Sequence, residues 1–143
     1  MIWDPNCIFC QIVADTTRCV LLAEEEAALA FMDIHPANDG HCLVIPRGHF
    51  PTILETPPDT FASVARLVVR VARAVQASLQ PPGLSLVQAN GGAANQTVPH
   101  LHVHVLPRRS NDGLLLNWPR AAPRDPGRLA DVAERIRNHL GRE

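Results

Sequence analysis

Residues 100–106 read His-Leu-His-Val-His-Val-Leu, with imidazole and aliphatic side chains alternating without a break from His100 to Val105. Period two is the period of a β-strand, whose successive side chains leave opposite faces of the sheet. Leu101, Val103 and Val105 must therefore pack into a core behind the strand, while His100, His102 and His104 share its other face. Such a strand needs further strands to pair with and an apolar element to cover its aliphatic side.

The rest of the sequence supplies both. Short apolar runs at 19–23, 27–33, 41–46 and 84–88 are separated by polar or turn-forming breaks such as EEE and HPANDG, and with 98–106 they make five expected strands. Between the third and fourth the period changes, since Phe61, Val64, Leu67, Val68, Val71 and Val75 recur at spacings of three and four. This predicts a long helix with one buried face, starting after Pro57 and Pro58 with Asp59 or Thr60 as N-cap and stopping near Pro81-Pro82-Gly83. A C-terminal helix is signalled by Asp125 as cap, Pro126 at the first helical position, Leu129, Val132, Ile136 and Leu140 on one face, and Gly141 just past the end. The stretch 111–124 carries no assignable element. Strands, helix, strands, helix is the order of an antiparallel α+β domain rather than of alternating βαβ units. A chain of 143 residues is long enough for one such domain, 1–143, with a single core.

Composition excludes several functions. All 13 basic residues are Arg, so neither a P-loop lysine nor a Schiff-base lysine is available. A formal net charge of -1 with 19% charged residues gives no sign of a nucleic-acid-binding arm. No apolar run approaches the ~20 residues of a membrane span, and MIWDPNCIFC lacks the positive start and long apolar centre of a signal peptide. The expectation is a cytoplasmic protein with mostly reduced thiols.

The histidine row narrows the chemistry further. Side chains two apart on a strand are separated by about 6.6 Å and the outer pair by about 13 Å, so one metal ion reaches neighbours such as His100 and His102 but hardly all three. The adjoining loop, ANGGAANQT, is rich in small residues that let backbone N–H groups approach an anion. An imidazole beside a phosphate can attack phosphorus in line. The plainer reading, three histidines decorating an edge strand or an adventitious metal site, does not account for strict alternation beside a Gly-rich loop.

The string HLHVHVLPR, preceded by NGGAANQTV, resembles the motif of the histidine triad (HIT) superfamily, and FMDIHPANDGHCLVIPRGHF and CIFCQI extend the resemblance over 7–108, leaving 109–143 as a C-terminal extension. The resemblance implies a HIT-like fold with two copies forming one continuous sheet as a homodimer. It makes His102 the nucleophile toward the α-phosphorus of a purine nucleotide, through a nucleotidyl-histidine intermediate, with His104 on the phosphate oxygens. Gln96, Thr97 and the backbone N–H groups around Asn95 match the loop holding phosphate and leaving group, and Asn90 joins the nucleotide-binding set. Asp33 and Ile34 match the pair that binds ribose and packs on the base in the nucleoside phosphoramidase branch; the residues alone allow Asp33 to be simply the turn residue before His35-Pro36. The activity implied is hydrolysis of an AMP phosphoramidate-like substrate. The alternatives are cleavage of dinucleoside polyphosphates and a nucleotide-binding regulatory module with incidental hydrolysis.

Cys7 and Cys10 have metal-ligand spacing, and two thiolates with two imidazoles would make a closed, structural zinc site. Spacing does not choose among His35, His41 and His49 as a partner. Zinc-bearing bacterial members of the family complete this C-x-x-C in a way that implies Cys7, Cys10, His49 and His100 here. A redox pair and two unconnected buried thiols are the competing readings. Cys19 and Cys42 fall in apolar strand patterns and read as small core residues. Two positions depart from the family pattern: Asn95 stands where Gly is usual, and Ala89 where eukaryotic-type phosphoramidases have Asn. Asn tolerates a left-handed backbone better than most residues.

Overall fold

The computed structural model describes residues 2–114 and 122–141, so half of the unassigned stretch 111–124, residues 115–121, lies outside the described residues. The elements in chain order are α1 (Ile8–Ala14), β1 (Leu21–Glu24), β2 (Ala28–Met32), β3 (Cys42–Pro46), α2 (Pro58–Leu79), β4 (Gly83–Val87), β5 (Val103–Arg108) and α3 (Pro126–Leu140), with short 3-10 turns at Thr16–Arg18 and Gly92–Ala94. The five strands form one antiparallel sheet in the order β1-β2-β3-β5-β4.

The central strands explain why the first half of the chain reads as continuous apolar runs. Every residue of β2 and β3 is buried, because both faces of the sheet are covered. Ala28, Ala30, Met32, Cys42 and Val44 point to one side, where Val64, Leu67, Val68, Val71 and Val75 of α2 and Leu129, Val132, Ile136 and Leu140 of α3 meet them. Leu29, Phe31, Leu43 and Ile45 point to the other, against Phe9, Cys10 and Ile12 of α1. Val103 and Val105 join the α2 side, and Leu43 pairs directly with His104, so the histidine face of β5 is the α1 face.

Both long helices follow their sequence signals, with one correction at a cap. The Asp125 carboxylate accepts from the Arg128 N–H and caps α3, and Pro126 opens the helix as expected. At α2 the N-cap is Pro57, with no side-chain cap bond, and Asp59 lies inside the first turn, so neither Asp59 nor Thr60 caps it. Pro58 at the first helical position removes one N–H that a cap would otherwise have to satisfy. Polar ties hold α3 down: Arg137 Nη1 donates to the Leu21 carbonyl (2.6 Å), Arg135 Nη2 to the Ser78 carbonyl (3.0 Å), and Arg128 pairs with Asp39. In the turn before β3, Gly40 has φ +88, a conformation that L side chains rarely adopt, so the turn favours glycine, and a Cβ there would also crowd the Leu79 side chain.

The larger differences from the sequence reading lie at α1 and β5. Helix α1 was not expected, because seven residues are too few to display a helical period. Strand β5 begins at Val103, not Val98, and runs on to Arg108. The His100 N–H bonds the Val98 carbonyl and the Leu101 N–H the Phe50 carbonyl, so the backbone at Pro99–Leu101 turns away from any ladder. The last pairing of β5 with β3 is at Val105, so Pro107 sits where β3 no longer needs a partner. His104 is therefore the only histidine of the three inside the sheet.

Leu67 is fully buried at the centre of the α2 face. Leu67→Ala should lower the free energy of unfolding by about 3 kcal/mol, and a urea titration followed by circular dichroism, with unchanged m-value, measures it.

Candidate functional site: a thiol-imidazole cluster beside a chain of histidines

Helix α1 starts on Cys7, whose sulfur is the N-cap acceptor for the Cys10 N–H. One helical turn thus points both sulfurs the same way, toward His100 and His49. Cys7 Sγ lies 3.4 Å from His100 Nδ1, Cys10 Sγ 3.6 Å from the same nitrogen, and Cys10 Sγ 3.4 Å from His49 Nδ1. All four ligand atoms fall within 4.8 Å of one another. A tetrahedral metal with bonds of about 2.3 Å to sulfur and 2.0–2.1 Å to nitrogen has S···N edges of about 3.5 Å, so the residues fit such an ion without rearrangement. The outer partners orient them. His100 Nε2 donates to the Pro46 carbonyl (2.9 Å) and His49 Nε2 faces Asp4 Oδ2 (4.0 Å), which leaves a lone pair on each Nδ1. Burial holds the His100 pKa down to about 4, keeping the ring neutral, and burial pushes the Cys10 thiol up, so its thiolate needs a cation. Of the three candidates left open by spacing, His49 is in this cluster; His35 and His41 are not.

A second set of side chains starts one residue away. The His102 Nδ1 lies 2.7 Å from the backbone carbonyl of His100 and must donate to it, so the lone pair of His102 is on Nε2. The Ala37 N–H donates to His41 Nδ1 (3.0 Å), placing the His41 proton on Nε2, which lies 2.9 Å from His104 Nδ1 and 3.5 Å from Asp33 Oδ2. His104 accepts at Nδ1 and so carries its own proton on Nε2. Burial lowers the pKa of His102 and His41, and that of His104 to about 3, so all three rings are neutral at physiological pH. The rings of His102 and His104 meet edge to face at 5.0 Å, and Phe9 packs edge-on against both His102 (5.3 Å) and His100 (5.8 Å).

Next to this row lies a cleft of about 310 Å³, lined by Ile8, Phe9, Ile12, Phe31, Leu43 and Val98 with Asp33, Ile34 and His35 at its edge. Asp33 is a turn residue, as the plainer reading has it, with Oδ1 accepting the His35 N–H (2.8 Å); its Oδ2 also faces His41, and the residue borders the cleft. Ile34 is half exposed beside it. The loop of residues 91–98 corrects part of the sequence reading. Asn95 adopts the left-handed conformation (φ 68, ψ 27), as an Asn can, but the N–H groups of Ala94, Asn95 and Gln96 are taken by the carbonyls of Gly91 and Gly92 and do not face a ligand. Within this loop the N–H groups of Gly92, Ala93, Thr97 and Val98 have no acceptor among the described residues, and of these four residues Val98 lines the cleft. Gln96 braces the loop, accepting from Gly91 N (2.7 Å) and donating to the carbonyls of Pro51 (2.6 Å) and Val98 (3.0 Å). Asn90 is likewise a brace, with Oδ1 accepting from Ile53 N (2.7 Å) and its amide exchanging hydrogen bonds with Gln88.

Residues 15–111 match the model of the HIT domain. The chain belongs to the HIT domain family. It is 36% identical over 136 residues, 94% of its length, to a Schizosaccharomyces pombe protein named adenosine 5′-monophosphoramidase, 98% of which is covered. An adenylylsulfatase of Arabidopsis thaliana is 35% identical over 76% of the chain, which spans 55% of that protein's length. A Zn-bound histidine triad family protein from Mycobacterium smegmatis has the same fold, with a TM-score of 0.81 at 37% identity and coverage of 96% of this chain and 94% of that one.

Two features of this HIT domain were missed from sequence. His41 was weighed only as a metal ligand, yet it links Asp33 to His104; nothing in its local pattern distinguishes it from His35. The cleft walls contributed by α1 escaped because Ile8, Phe9 and Ile12 were read as part of a motif around two cysteines rather than as a surface. Cys19, expected in the core, is half buried and borders the cleft, whereas Cys42 is in the core as expected.

The S₂N₂ cluster generates a direct expectation. The purified chain should take up one equivalent of zinc or cobalt, the cobalt form showing thiolate-to-metal charge transfer in the near ultraviolet. Cys10→Ser and His49→Ala should each weaken metal affinity by about tenfold or more, read by competition with a chelating dye.

Proposed function

We propose that this chain is a nucleotide hydrolase or transferase acting at the α-phosphate of a purine nucleotide, with His102 as nucleophile. The observation that carries the reading is the His102 tautomer: the His100 carbonyl holds its proton on Nδ1, so a neutral Nε2 lone pair stands beside an apolar cleft and the proton-bearing His104. The names of the S. pombe and A. thaliana relatives, a phosphoramidase and an adenylylsulfatase, both concern an adenylyl group bonded to a leaving group and support the same class of reaction.

The cleft receives the base between Phe9, Ile12 and Leu43, and the Asp33 carboxylate accepts the ribose hydroxyls. Nε2 of His102 forms a bond to phosphorus as the bond to the leaving group breaks, and the departing amine takes a proton from water. The positive charge left on the nucleotidyl-histidine ring is stabilised through Nδ1–H by the His100 carbonyl. His104 Nε2–H and the N–H groups of Thr97 and Val98 donate to the phosphoryl oxygens, while His41 keeps His104 in the tautomer that can do so. Water then attacks phosphorus, returning the lone pair to Nε2 and releasing the nucleotide and a proton. A zinc ion held by Cys7, Cys10, His49 and His100 would supply a structural cross-link and no reaction chemistry.

The test is AMP release from adenosine 5′-phosphoramidate. Turnover should fall at least about 10³-fold in His102→Ala, and intact mass should detect an adenylyl adduct on the native chain only. Absence of turnover with AMP still bound would overturn the phosphoramidase assignment and favour dinucleoside polyphosphates or a binding role.

We also propose a homodimer. Strand β4 is a sheet edge with Leu86 56% exposed on it, an arrangement that a second copy can cover by extending the sheet. The native chain should run at twice its 15.6 kDa mass in light scattering, and Leu86→Arg should shift it to monomer.

A further inference from the structure

The cleft has two chemically different ends. At one, Phe9 touches His102 and the Asp33 carboxylate faces His41. Arg18 follows helix α1 in the chain and lines the same cleft, its guanidinium reaching back toward Gln11 of the helix. The other walls are mainly apolar, with Gln11 also on the lining. With phosphorus at His102 and ribose at Asp33, a base lying along the apolar walls presents its outer edge to Arg18.

Two contacts bias the Arg18 side chain toward this position. Its Nη1 donates to Gln11 Oε1 (3.5 Å), and its Nε lies 3.7 Å from Asp15 Oδ2. Gln11 is itself fixed, because its Nε2 donates to the Pro5 carbonyl (3.0 Å), which turns Oε1 toward the guanidinium. Among the described residues Nη2 has no acceptor. A guanidinium offers donors only. Guanine and hypoxanthine present O6 and N7 as adjacent acceptors that match its fork, whereas adenine places an amino donor beside N7.

We propose that Arg18 is a specificity-determining residue that selects 6-oxopurine nucleotides over adenine nucleotides at this cleft. This rests on the nucleotide reading above and refines its substrate class: the adenosine substrates in the relatives' names would be secondary ones for this chain. Two other roles for Arg18 make different predictions. Stacking on the base face, or a long-range pull on phosphate, would act on all purine nucleotides alike.

Equilibrium binding of GMP, IMP and AMP to the full metal-loaded chain, by calorimetry, separates them. The native chain should bind GMP and IMP about fivefold more tightly than AMP. Arg18→Ala should weaken GMP and IMP by about that factor and leave AMP nearly unchanged. Arg18→Lys keeps the charge but loses the fork, and should lose the discrimination as well. Equal affinities in the native chain overturn the proposal, as does an equal loss for all three nucleotides in Arg18→Ala, or full discrimination retained by Arg18→Lys. IMP lacks the 2-amino group, so tight GMP with IMP no better than AMP also overturns it. If no nucleotide binds the native chain at all, the nucleotide reading itself fails; binding without discrimination sinks only the role of Arg18.

Discussion

His100 takes part in two centres at once, and the arrangement of each depends on the other. Its imidazole Nδ1 closes the cluster with Cys7 and Cys10, its Nε2–H is anchored on the Pro46 carbonyl at the end of β3, and its own carbonyl fixes the tautomer of His102. The ring is fully buried, so moving it would strand polar atoms away from water, and no buried side-chain nitrogen or oxygen among the described residues lacks a partner. The backbone turn at Pro99–Leu101 that takes His100 out of the sheet is what allows this double use. In a regular strand its carbonyl would belong to a ladder.

The same logic explains why a seven-residue helix matters so much. Helix α1 is too short to be stable by itself. It is held by Phe9 and Ile12 against Leu29, Phe31, Leu43 and Ile45 of β2 and β3 and by its two sulfurs at the thiol-imidazole cluster. Its outer surface is one wall of the cleft, and Phe9 touches both His100 and His102. Cluster, wall and histidine row are thus one packed unit. A bound metal would stiffen the wall of a cleft it does not touch, whereas the large α2 and α3 core on the opposite face supplies most of the apolar burial.

What could be read from sequence follows from which signals are local. The alternation of His100 to Val105 placed Val103 and Val105 behind the sheet, and the 3.6-residue period of α2 and the Asp125-Pro126 cap of α3 were legible because each lies within one element. Strand ends at 19–23, 27–33 and 41–46 were off by one or two residues, since apolar content does not stop where pairing stops. The start of β5 was missed because alternation continues through His100 and Leu101 although their backbone bonds go to Val98 and Phe50. The four residues of the thiol-imidazole cluster came from resemblance to a family, since spacing alone left His35, His41 and His49 equivalent. Gln96 shows the reverse case. Its position in the motif suggested a ligand contact, yet both ends of its amide close the loop, a fact that only the fold around Pro51 and Gly91 contains.

The two clusters of possible metal ligands differ in where their protons sit, and this decides what each can do. Asp33, His41 and His104 place three ligand atoms within 4.8 Å of one another, as do the residues around Cys7. In the cysteine cluster every second-layer partner is an acceptor, Pro46 O for His100 and Asp4 for His49, so the protons point outward and lone pairs point in. In the other, the partner of His41 is a donor, the Ala37 N–H. That bond drives the proton of His41 onto Nε2, into the centre of the cluster, and a cation there would have to break it or expel the proton. His41 is thus built to donate to His104 rather than to bind a metal. One backbone amide separates a hydrogen-bonded relay from a coordination site made of similar residues.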